Sequence, residues 1–137
     1  MLLLEDNPVD VFVITEVLES LGLDFQLRIA CDGGEALAYL QDLDQNPSIP
    51  IPSLLLLDLN VPKVDGIEVL RRLRDGSRCN RMPVVIVTSS TAEPDRAAAR
   101  RLGVDAYFEK SNDLMAYMEL AEVIRRILHV PGENKPA

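Results

Sequence analysis

Five short apolar runs, at 2–4, 25–30, 54–57, 84–87 and 106–108, are separated by stretches of helical periodicity, and this alternation constrains the chain more than any other feature. A run of three to six apolar residues bounded by breakers is too short for a buried helix and reads as a strand covered on both faces. Strands that alternate with helices pair in parallel, because each connection must cross back over the sheet. The expected fold is α/β: a doubly wound, five-stranded parallel sheet with helices on both faces.

The intervening segments carry helix punctuation. Asn7-Pro8 supplies a cap and a first turn ahead of Val9, Val13, Ile14, Val17, Leu18 and Leu21, and Gly22 closes that helix. A second helix is expected over 35–43 on the stripe Ala36, Leu37, Leu40 and Leu43, and the proline-rich segment 46–52 cannot continue it. A third starts at Asp65, with Glu68 spaced as in a capping box, and runs through Ile67, Leu70 and Leu73 to Gly76. A fourth covers 93–102, with Pro94 in its first turn and Gly103 as its stop. The fifth follows Ser111-Asn112-Asp113, buries Leu114, Tyr117, Met118, Ala121, Ile124 and Leu128, and ends near His129. Residues 1–129 therefore form one expected domain, and the polar, breaker-rich 130–137 an expected tail.

Composition narrows the function. The formal net charge of −8 disfavours nonspecific nucleic-acid binding, which depends on Lys and Arg. Cys31 and Cys79 form no CxxC pair and are joined by a single histidine, His129, so neither a zinc site nor a disulfide framework is expected. Free thiols fit a reducing cytoplasm. The opening Met1-Leu2-Leu3-Leu4-Glu5-Asp6 has no basic leader and is far too short and acidic for a signal core or a membrane span.

The chemistry lies at the strand ends. Glu5-Asp6, Asp58, Thr88 and Lys110 each follow an apolar run, and open doubly wound sheets bind ligands at the carboxyl ends of their strands. Gathered there, like charges repel by roughly 4 kcal/mol per pair at about 4 Å and an effective dielectric near 20, so the cluster requires a cation. Oxygen-only donors point to Mg2+, and Mg2+ held by carboxylates points to phosphoryl transfer.

These residues resemble the receiver domain of bacterial two-component response regulators along nearly the whole chain. The motifs are Glu5-Asp6-Asn7-Pro8-Val9-Asp10, Asp58-Leu59-Asn60-Val61-Pro62-Lys63-Val64-Asp65-Gly66, Thr88-Ser89-Ser90 and Tyr107-Phe108-Glu109-Lys110. Within the family the pattern is most similar to small stand-alone receivers, including those associated with phytochrome kinases. The resemblance implies a flavodoxin-like strand order 2-1-3-4-5 and a phosphoacceptor at Asp58. It implies Mg2+ held by Glu5, Asp6, Asp58 and the backbone carbonyl of Asn60. Thr88 and Lys110 would engage the phosphoryl group, and Tyr107 would be the switch aromatic that turns inward as Thr88 moves. Pro62 and Gly66 would shape the loop beyond the acceptor. In the family, the side chains at the positions of Asn60 and Ser90 influence how fast the phosphate hydrolyses, without fixing a lifetime for this chain.

The expected function is that of a response regulator that takes a phosphoryl group from a sensor histidine kinase, or from a small phosphodonor. It would have no output domain and no catalysis beyond its own phosphorylation and dephosphorylation. A homodimer or partner surface is expected on the fourth helix, fifth strand and fifth helix, where Arg96, Arg100, Arg101, Arg125 and Arg126 lie near Glu93, Asp95, Glu119 and Glu122. Two departures from the family stand out. Ser111 replaces the usual proline after Lys110, so a trans peptide is expected, the cis form costing about 2.5 to 4 kcal/mol without proline. Glu109 replaces an apolar residue, which suggests a last strand exposed on one side. A Mg2+-dependent phosphatase of the haloacid-dehalogenase type is the enzyme alternative, but it needs an acid two residues after the nucleophile, where this chain has Asn60. A flavin module is the binding alternative, and Glu5 and Asp6 would repel its phosphate.

Overall fold

The structure is a computed structural model and describes residues 1–129; the expected tail at 130–137 lies outside the described residues. Strands β1 (Leu2–Leu4), β2 (Arg28–Ala30), β3 (Leu55–Leu57), β4 (Val84–Thr88) and β5 (Ala106–Glu109) alternate with helices α1 (Pro8–Glu19), α2 (Gly33–Gln45), α3 (Gly66–Asp75), α4 (Glu93–Arg101) and α5 (Leu114–Ile127). The sheet is parallel throughout, in the order β2-β1-β3-β4-β5. Leu2, Leu3 and Leu4 stand opposite Leu55, Leu56 and Leu57, so Glu5 and Asp58 leave neighbouring strands at the same level. That register is what brings them to one rim.

Alternating side chains of the central strands feed two separate cores. Leu2, Leu4, Leu55, Leu57, Val84 and Ile86 pack with α2 and α3, whereas Leu3, Leu56, Val85 and Val87 pack with α1 and α5. Both faces being covered explains why these strands are continuous apolar runs.

The punctuation operates as expected at most ends. Asn7 Oδ1 accepts from the N–H groups of Val9 and Asp10, and Asp113 caps α5. Gly22 and Gly103 both follow helices in the left-handed region, each at φ 70°. The capping box at α3 is half formed: Asp65 accepts from the N–H of Glu68, but the Glu68 carboxylate goes to Arg71 and Arg72 instead of returning to the cap. Helix α2 begins earlier than expected, because Asp32 caps it through the N–H of Glu35 and places Gly33 in its first turn. Gly33 must be glycine, since a Cβ there would sit 1.8 Å from the carbonyl oxygen of Val64.

Three expectations shift. Only Arg28–Ala30 of the run 25–30 pairs with β1, while Phe25 and Leu27 pack on the α1/α5 core without joining the ladder. On α1, Val9 is exposed together with Phe12, and the buried stripe is Ile14, Val17 and Leu18. On α5, Leu114 and Met118 are exposed, and the buried face is Tyr117, Leu120, Ala121 and Ile124. No cis peptide occurs among the described residues, so Lys110-Ser111 is trans. Strand β5 lies at an edge, half-buried, with Glu109 exposed and paired to Arg96. Both cysteines are free; Cys31, at the end of β2, is exposed and Cys79 is buried.

Candidate functional site

Asp58 extends from β3 into a buried position, and each of its oxygens is committed. Oδ1 accepts from the Thr88 hydroxyl at 2.8 Å and from the N–H of Asn60 at 3.1 Å. Oδ2 accepts from Lys110 Nζ at 2.8 Å. Burial opposes the Asp58 charge, but the bonds from Lys110, Asn60 and Thr88 outweigh it and hold the carboxyl below the usual carboxylate range.

Glu5 is also buried, and one oxygen accepts from the N–H groups of Asp6 and Asn7 at 3.1 and 3.4 Å. Its other oxygen lies 2.7 Å from Lys110 Nζ without hydrogen-bond alignment. Burial is the main cause that pushes the Glu5 carboxyl up to about 7, with Lys110 resisting and the Asp58 charge adding to the rise. The raised Glu5 carboxyl and the Lys110 ammonium together offset the repulsion of this pair. Lys110 is the cation that the carboxylates require in this arrangement, and its bonds to Asp10 and Asp58, with the Glu5 carboxyl close by, hold its ammonium above the ordinary range despite burial.

Glu5, Asp6 and Asp58 each offer an oxygen, and these atoms lie within 4.8 Å of one another. Asp6 is exposed, so the triad opens to solvent on one side. The donor set is all oxygen and includes a buried Glu5 oxygen with no aligned donor, which suits a hard divalent ion. The loop after β3 is shaped tightly around Asp58. A Cβ on Gly66 would stand 2.4 Å from the carbonyl oxygen of Asp58, and Lys63 holds φ at 73°.

Glu5, Asp6, Asp58, Thr88, Lys110 and the Asn60 backbone meet at this rim, and one unexpected residue joins them. Asp10, in the first turn of α1, accepts from Lys110 Nζ at 2.7 Å across 100 positions of sequence. The motif containing it was visible, but nothing in helical periodicity assigns a polar position on α1 to a lysine at the far end of the chain. The Asn60 backbone is placed beside Asp58, and its side chain is exposed. No acid stands two residues beyond Asp58, as the phosphatase alternative would need.

Beyond Thr88 a chain of contacts leads toward α4. The N–H of Ser90 donates to Thr88 Oγ1 at 3.3 Å, and the Ser90 hydroxyl donates to Asp95. The Tyr107 hydroxyl donates to the Ser90 carbonyl at 3.0 Å, and the Arg96 guanidinium lies 4.5 Å from the Tyr107 ring centre. Burial pushes the Tyr107 phenol up.

Comparison with known proteins places this geometry in a family. Residues 1–122 match the response regulator receiver domain. The chain is 39% identical over 124 residues to the response regulator Rcp1 of Synechocystis sp., which covers 90% of this chain and 84% of that protein. The crystal structure of the Mn(2+)-bound form of Rcp1 superposes with a TM-score of 0.81 at 37% identity, covering 99% of this chain and 97% of the other. The phosphorylated cyanobacterial phytochrome response regulator RcpA also gives 0.81, at 34% identity, covering 93% and 91%. No helix among the described residues is long and apolar enough to cross a membrane. With its fold, its rim of acids and its sequence in agreement, the chain belongs to the receiver domain family of two-component response regulators.

Proposed function

We propose that Asp58 accepts a phosphoryl group from the histidine of a sensor kinase, or from a small phosphodonor, and that Glu5, Asp6, Asp58 and the carbonyl of Asn60 hold Mg2+ for that reaction. The observation that carries this reading is the convergence on Asp58 of Thr88, Lys110 and the acidic pair Glu5 and Asp6. Bound Mg2+ would neutralise the charge of carboxylate and phosphoryl oxygens and align them for in-line displacement. The phosphorus–nitrogen bond of the donor breaks as a phosphorus–oxygen bond to Asp58 forms, and the electron pair leaves with the imidazole. Asp58 is ionised in its surroundings, as a nucleophile must be.

Once phosphorylated, Asp58 carries about two negative charges in place of one. Thr88 and Lys110, already within hydrogen-bond reach, follow the new oxygens. Movement of Thr88 disturbs the Ser90 bond, on whose carbonyl Tyr107 rests, so Tyr107 turns inward and α4 responds. The chain acts in the cytoplasm, where its two free thiols are at home, as a signalling switch and not as an enzyme of external esters.

The test is acetyl phosphate with Mg2+ followed by intact mass. The wild type should gain one phosphate; Asp58→Asn, or omission of Mg2+, should give none. Labelling that persists in Asp58→Asn moves the acceptor elsewhere, and turnover of p-nitrophenyl phosphate would restore an enzymatic reading.

A partner or a second copy would meet the α4/β5/α5 surface. Of its five arginines, Arg96 is engaged with Tyr107 and Glu109, and Arg125 is buried against Glu122, so the exposed Arg100, Arg101 and Arg126 are the ones available. Light scattering with beryllofluoride should show a doubled mass; an unchanged mass removes the dimer.

A further inference from the structure

Lys110 has three ammonium protons and three carboxylate neighbours, at 2.7 Å from Glu5, 2.7 Å from Asp10 and 2.8 Å from Asp58. These neighbours are not equivalent. Glu5 and Asp58 belong to the triad whose oxygens gather within 4.8 Å of one another, whereas Asp10 does not. The reaction at Asp58 therefore draws on two of the three carboxylates around Lys110 and leaves the third free to hold it.

We infer that Asp10 is a positioning residue for phosphoryl transfer, a fixed anchor that keeps the Lys110 ammonium at the rim while its contacts with Glu5 and Asp58 are exchanged for bonds to the incoming phosphoryl oxygens. The inference rests on Asp58 as acceptor, and adds a residue to that machinery. Its footing is structural. Asp10 sits in the first turn of α1, and its own N–H is capped by Asn7 Oδ1, so its carboxylate is tied to a helix start that does not take part in the chemistry. The contact is largely shielded, with side-chain exposures of 15% for Lys110 and 22% for Asp10. A charge-assisted bond in such a place is strong and directional. A lysine stem has four rotatable carbons, and a single fixed carboxylate removes most of that freedom before the phosphoryl group arrives. Glu109 and Ser111, the chain neighbours of Lys110, offer no substitute, since Glu109 pairs with Arg96 and Ser111 Oγ accepts from the N–H of Asp113.

The experiment compares wild type, Asp58→Asn, Asp10→Asn, Asp10→Ala and Asp10→Glu by the rate of labelling with acetyl phosphate at saturating Mg2+. Asp10→Asn and Asp10→Ala should label about tenfold more slowly, the low end of the cost of losing an orienting partner, and Asp10→Glu should recover part of the rate. Calorimetric Mg2+ affinity and thermal midpoint should remain near wild type. The Lys110 ammonium resonance in a proton–nitrogen correlation spectrum should broaden or vanish in Asp10→Asn, and the loss of rate at an unchanged thermal midpoint with partial rescue by Asp10→Glu is what a merely structural role would not produce. Asp10→Asn labelling at or above the wild-type rate overturns the inference, as does a loss of rate that tracks unfolding. A wild type that takes no label, or labelling that survives Asp58→Asn, defeats the acceptor assignment and the inference with it.

Discussion

Glu5 binds its proton more tightly than an exposed glutamate does, because it is buried and stands beside the ionised Asp58. Its carboxyl rises from 4.5 to about 7 on folding, so the folded chain binds more protons than the unfolded chain between those values. Stability from this residue is complete below the unfolded value and declines as pH rises toward 7, by an amount on the order of 1–3 kcal/mol. Chelator-treated protein should therefore melt at progressively lower temperature from pH 5 to pH 7.5, and Glu5→Gln should flatten that slope. Mg2+ competes with the same proton, so its apparent affinity, measured by calorimetry, should increase over the same interval. Asp58 contributes in the opposite sense: its depressed carboxyl stabilises the fold above the unfolded carboxylate range and loses that contribution on acidification.

Helix α4 shows what is held by elements as units. Its start, Ala92, has no side-chain cap, but its far end is tied by Arg74 of α3, whose guanidinium donates to the carbonyls of Leu102 and Gly103 and to those of Asn80 and Met82. The helix is thus anchored at one end and joined to the switch contacts of Asp95 and Arg96 at the other. Arg74→Met should cost about 2–4 kcal/mol in chemical denaturation, since two partly buried and two exposed carbonyls lose a charged donor at once. Amide exchange should accelerate first around Leu102 and Gly103. Sequence alone located this helix from Pro94 and Gly103, but not its tether, because Arg74 occupies an ordinary charged position on the polar side of α3. The same limit applies to Asp10 and Lys110. Local periodicity reports which way a side chain faces, and only the sheet's register decides what it meets.

At the scale of the molecule, alternation of runs and helices was enough to establish the winding, and the shared rim followed from where the strands end. Where expectation strayed, burial follows tertiary packing and not local apolar character alone. Val9, Leu114 and Met118 are apolar but exposed, and Phe25 and Leu27 pack on a core without joining the ladder. Chain-wide packing can be tested through the thiols. Cys79 is buried near Asp44 and its thiol is pushed up by burial, whereas Cys31 is exposed. Iodoacetamide under native conditions should modify Cys31 alone, and Cys79 should react only after denaturation; a mass spectrum with both modified at equal rates contradicts the fold. Because the carbonyl of Ala30 accepts from the N–H of Glu5, Cys31 stands on the same rim as the acids. A nitroxide or fluorophore attached there would report on cation loading and acyl-phosphate formation in the natural sequence, with no mutagenesis required.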